Sequence, residues 1–73
     1  MRYAIVIEKA GSNYSAYVPD LPGCVATGAT PRDVETLLHE AIVFHIEGLH
    51  ADGISVPEPS SQVDYLDVRV AGE

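Results

Sequence analysis

Tryptophan is absent, phenylalanine and cysteine occur once each, and only four lysines and arginines stand against eleven aspartates and glutamates. Each shortage excludes something. A single cysteine, Cys24, cannot close an intramolecular disulfide, which suits a reducing compartment and gives the expectation of a cytoplasmic protein. Arg2, Lys9, Arg32 and Arg69 are scattered along the chain and cannot form the basic stripe that neutralises phosphates, so no direct binding to nucleic acid is expected. No run approaches the ~20 apolar residues that span a bilayer. The apolar stretch in MRYAIVIEKAG is too short for a signal peptide, so no membrane association is expected either. A length of 73 residues leaves room for one core, and 1–73 reads as a single domain. Such a chain hides only about 60% of its unfolded surface, so its margin of stability is thin and a partner surface would help. The formal charge of −7 creates a field that attracts basic partners.

What is present organises itself around YSAYVPDLPGC, residues 14–24. Its first half alternates as a strand does, with Tyr14, Ala16 and Val18 on one side and Ser15 and Tyr17 on the other. Pro19 then removes an amide donor and holds Val18 extended, while Pro22-Gly23 forms a turn in which glycine takes a positive φ without steric cost. A first strand is expected over 2–8, a second over 14–18 after the turn cluster KAGSN, and a short third over 24–27. Tyr3-Ala4-Ile5-Val6-Ile7 is apolar at every position, the mark of a strand covered on both faces or central in its sheet.

Thr30 reads as a helix N-cap, Pro31 fits the first helical position, and Asp33 lies near the positive end of the helix dipole. The helix should run to about Ala51, with Gly53 as its stop and Pro57 and Pro59 preventing continuation. At about 100° per residue, Val34, Leu38, Ala41, Ile42, His45 and Leu49 form the stripe that faces the sheet. In residues 63–70, Leu66, Val68 and Val70 alternate with Tyr65, Asp67 and Arg69, which predicts a fourth strand. A right-handed crossover would set it parallel to the first. The expected fold is α+β: a mixed four-stranded sheet of order 3-2-1-4, element order β-β-β-α-β, with one helix on one face.

The segment from YSAYVPDLPGC through ATGATPRDVETLLHEAIVFHIEGLHADGISVPEP resembles the core of the HicB-type antitoxins, small proteins that neutralise HicA-type toxins that cleave messenger RNA. The likeness spans residues 3–59 and rests on the DLPGC turn combined with the phasing of the helix after it. It implies a partial RNase H-like fold and a non-enzymatic binding module that masks the basic RNA-cleaving surface of a small HicA-like protein. Full members continue into a C-terminal helix-turn-helix or ribbon-helix-helix domain. The sequence stops at Glu73, and a stand-alone domain without operator binding is the corresponding expectation. The alternative is a homo-oligomeric structural or regulatory domain with no toxin partner.

Candidates for chemistry carry little. His39, His45 and His50 stand six and five apart, not the four that places two zinc ligands on one helical face. His39 and His50 share a face but lie ~16 Å apart along the axis. His45, inside the apolar stripe, reads as a core histidine. A two-metal nuclease needs converging acids. Glu8 and Asp20 end their strands while Glu35, Glu40 and Glu47 sit on the helix flank or back, and no convergence is expected. Nothing places a base beside Cys24. The chain is therefore read as non-catalytic, with no metal and no cofactor.

The expected partner-binding residues are Asp20, Leu21, Pro22 and Gly23, a rigid exposed corner combining an acid with an apolar tip, and Glu40, Val43 and Glu47 on the helix flank. Apolar Val43 and Ile46 on the helix back, together with a sheet face that no helix covers, predict self-association as a dimer or tetramer.

Overall fold

The computed structural model describes residues 1–72. Its elements come in the order β1 (Val6–Ala10), β2 (Asn13–Tyr17), β3 (Val25–Gly28) and α1 (Pro31–Ala51). The three strands form an antiparallel meander of order β1-β2-β3. β1 and β2 turn on Gly11-Ser12 with Ala10 opposite Asn13, and the ladder ends where Val6 faces Tyr17. Beyond that pair the amide of Val18 donates to the carbonyl of Cys24 at 3.2 Å, and Pro19 has no amide to donate. Residues 2–5 thus lack a ladder partner on β2, and β1 begins four residues later than the expected strand over 2–8.

The alternation read in β2 is realised. Ala16 and Val18 are buried, and Tyr17 points to the other face, where it adjoins half-buried Val6 and exposed Val25. Two further bonds tighten the corner after β2: Leu21 N–H to the Val18 carbonyl and Cys24 N–H to the Leu21 carbonyl, both 3.1 Å. Gly23 sits at φ +83° there, which a side chain would oppose.

The helix begins as its sequence predicts. The Thr30 hydroxyl accepts from the Asp33 amide at 3.1 Å, and Pro31 occupies the first turn. Gly28 lets the helix start lie against β3, since a Cβ at that position would stand 3.0 Å from the Val34 nitrogen. At the far end Gly53 N–H donates to the His50 carbonyl and Ile54 N–H to that of Leu49, satisfying orphan carbonyls of the last turn. α1 packs mainly on β2 and β3. Val34 and Leu38 close over Ala16, Val18, Leu21 and Cys24, and Ile5, Ile7, Ala41 and Ile42 lie at the margin of that core.

The expected fourth strand does not form. Residues 63–70 pair with nothing and lie exposed along their length, so the sheet is purely antiparallel with three strands. The expected four-stranded order 3-2-1-4 is corrected to the three-stranded β1-β2-β3, and β1 is an edge, not a centre. Upstream of that segment the Tyr3 hydroxyl donates to the Pro57 carbonyl at 2.6 Å and Asp20 holds Ser60 and Ser61, which fixes where the chain leaves the domain.

Candidate functional site

Two surfaces were expected to meet a partner, and the structure treats them differently. In the corner, Leu21 is fully buried among Val18, Cys24, Val34 and Leu38, so the exposed apolar tip expected there is corrected to a core anchor. Pro22 and Gly23 remain exposed. Asp20 is half-buried and occupied within the chain. One carboxylate oxygen accepts from the amides of Ser60 and Ser61, each at 2.9 Å, and the other from their hydroxyls at 3.1 and 2.8 Å. A carboxylate has about four acceptor positions, and all are filled. Asp20 is a clamp on the chain beyond the helix, a role no local pattern discloses because its partners are forty residues away in sequence.

The Ser61 amide first, then that of Ser60, with the two hydroxyls adding to them, lowers the Asp20 carboxyl to about 2, against a smaller opposing effect of burial. The folded value lies below the ordinary 3.8, so the clamp's contribution is complete above that value and is lost as pH falls through about 2. In an acid titration followed by NMR, the Ser60 and Ser61 amides should move together with a midpoint near 2, and Asp20→Asn should abolish that movement. A midpoint near 4 would mean that the clamp is open in solution. Nearby, burial first and then the negative charges of Glu58 and Asp20 push the Tyr3 phenol up, which keeps it a donor to Pro57.

The outward face of α1 is the second surface, and it stays open. Val43, Glu47, Glu40, Phe44 and Leu37 fall in that angular order across about 120° of the helix at 100° per residue, and all five are exposed. Phe44, the only phenylalanine, is 78% exposed. It was not among the expected contact residues, although the helical spacing that groups Glu40 with Glu47 also places Phe44 beside them. The result is an apolar pair, Leu37 and Phe44, flanked by two carboxylates with Val43 beyond. Such a surface can seat against a partner that offers an apolar hollow rimmed by cations.

The remaining candidates are dispersed. His45 is half-buried on the sheet side, His39 and His50 are exposed, and Ile46 of the helix back is half-buried. Among the described residues no group of three His, Cys, Asp or Glu side chains comes together to hold a metal ion, and no helix is long and apolar enough to cross a membrane. Cys24 is buried, and that burial pushes its thiol up, away from the thiolate a nucleophile needs.

The chain is similar to several known proteins. Residues 3–70 match the profile of a family described as HicB-like antitoxin of bacterial toxin-antitoxin systems. A 14.9 kDa uncharacterized protein from the rep-hol intergenic region of Haemophilus phage HP1 is 39% identical over 66 residues, covering 90% of this chain and 50% of the phage protein. A UPF0150 protein of Helicobacter pylori is 38% identical over 50 residues, covering 68% of this chain and 69% of its own. The chain thus spans half the length of the phage relative. Among solved structures, a chain of a HicA3 and HicB3 toxin-antitoxin complex superposes with a TM-score of 0.70 at 35% identity, covering 82% of this chain and 70% of that one.

Proposed function

The chain belongs to the HicB-like antitoxin family of bacterial toxin-antitoxin systems, and from that premise we propose that it is a non-enzymatic module that neutralises a small basic HicA-like toxin by binding it. The observation that carries this reading is the likeness to a chain of a HicA3 and HicB3 complex, at 35% identity over most of the domain. Its physical logic is charge. A protein that grips RNA must present cations to phosphate. A chain carrying −7 competes for those cations, and its field also accelerates encounter with their bearer.

Within the domain, the outward face of α1 is the contact we favour. Glu40 and Glu47 supply exposed carboxylates, while Leu37, Val43 and Phe44 supply apolar area that the fold leaves uncovered. Pro22 and Gly23 offer a rigid exposed edge as a lesser contact. Asp20 and Leu21 take part only by holding that edge in shape.

The test is a titration of a purified HicA-like protein with this chain, with cleavage of a synthetic RNA as readout. Cleavage should fall to background near molar equivalence at low salt, and the affinity should weaken as salt rises. Undiminished cleavage in the presence of a molar excess, at low ionic strength, would refute the proposal.

A further inference from the structure

Residues 63–70 are a strand in pattern and a solvated arm in fact. Tyr65 and Leu66 are each 88% exposed and Val68 is 75% exposed, a poor state for side chains whose burial stabilises by about 1.5–3 kcal/mol each. The arm also extends the molecule. Its radius of gyration is 15.0 Å and its longest dimension 55 Å, whereas a compact chain of this length has a radius of about 11 Å.

A place for such a strand lies open on the same fold. β1 pairs only with β2, so its outer edge presents unpaired amides and carbonyls. An edge of this kind invites pairing unless something covers it. Beside it a groove lined by Ile5, Leu38 and Ile42, with Glu35 and His39 at its rim, separates that edge from α1. A strand laid along β1 would turn Leu66, Val68 and Val70 toward this groove and Tyr65, Asp67 and Arg69 away from it. The lengths agree: eight residues span about 26 Å, comparable with residues 2–10.

On its own chain the arm does not occupy this place: Asp20 holds Ser60 and Ser61 through four hydrogen bonds, Tyr3 holds Pro57, and the residues that follow stay off the sheet. Gln62 and Val63 leave that clamp beside Arg2 and Ala4, and from Asp64 onward the chain lies exposed. We infer that two copies of this chain exchange these arms, each laying residues 63–70 along the free edge of β1 of the other and completing its four-stranded sheet. An identical element traded between identical chains is self-consistent under two-fold symmetry. Each copy contributes both an arm and an edge, about fifteen residues a side, fewer than the 20–30 of a standard interface and supplemented by the backbone hydrogen bonds of two added strands. The inference does not depend on the toxin reading and is tested without any toxin.

Light scattering on the isolated chain should give twice its 7.8 kDa mass. Val68→Asp should return the mass to that of one chain. Its far-ultraviolet spectrum should keep the helix signal and lose only that of the added strand, since Val68 touches no part of the core. Amides on the outer edge of β1 should exchange about tenfold or more slower in the parent than in Val68→Asp. A mixture of isotope-labelled and unlabelled chains should show intermolecular contacts between Val68 methyls and Ile5 or Ile7. The inference is overturned by a single-chain mass, by Val68 contacts to Ile5 that arise only within one chain, or by Val68 contacts only to Val68 of the other copy, which would mean arm pairing with arm.

Discussion

Leu38→Ala is expected to destabilise the domain by about 2–5 kcal/mol, the range for emptying a buried leucine site. Leu38 is 1% exposed and is the helix residue that meets the corner built by Val18, Leu21 and Cys24. Among the described residues six make up the buried core, so few neighbours can move in to fill the space, which argues for the upper half of the range. For a domain of this size the total is on the order of 5 kcal/mol or somewhat more, and the variant should be largely unfolded near physiological temperature. Urea unfolding followed by circular dichroism gives the answer directly, with protein concentration held equal because any association stabilises the folded form. A loss below ~1 kcal/mol, the size of an ordinary surface change or little more, would mean that the corner and the helix do not depend on this contact.

The opposite dissociation of stability from binding is expected at Phe44. Truncation to alanine removes an exposed ring from mid-helix and introduces the best helix former, so the urea midpoint should hold or rise slightly. Binding to a HicA-like protein should nevertheless weaken by about 2 kcal/mol or more, roughly thirtyfold, as for a central aromatic anchor of an interface. Isothermal titration with parent and variant separates the two effects. Charge reversal at Glu40 and Glu47 should instead flatten the salt dependence of binding, because rim charges act chiefly on encounter. Unchanged affinity for Phe44→Ala would move the contact away from this face of α1.

The contrast between Leu38 and Phe44 shows what the sequence could disclose. Helix limits were legible because their signals are local: Thr30 and Pro31 at the start and Gly53 past the end act on backbone groups within a turn. The meander was legible for the same reason, through KAGSN and DLPG. The fourth strand was not, because alternation specifies that residues 63–70 can form a strand and is silent about whose edge receives it. The contacts that fix where this segment leaves the domain, Asp20 with Ser60 and Ser61, join residues far apart with no periodic signature. Leu21 reads as a surface residue because a proline- and glycine-flanked leucine looks like a loop tip, whereas the bonds linking Val18, Leu21 and Cys24 fold the loop inward. On the candidate site, spacing finds Glu40, Val43 and Glu47, and the same spacing includes Phe44, whose exposure only the fold reveals.

Every strand of the meander docks on its immediate predecessor, and the helix then closes over the last two. Among the described residues all six that are buried hydrophobics lie from Ala16 to Leu38, so few long loops must be closed before the core is sealed, a topology that folds quickly. On a translating ribosome, where chains grow by about 5–20 residues per second, that core can settle while later residues are still being added. The adhesive arm would then emerge from the exit tunnel onto a nearly finished body, leaving little time for its apolar side chains to be trapped in a misassembled globule.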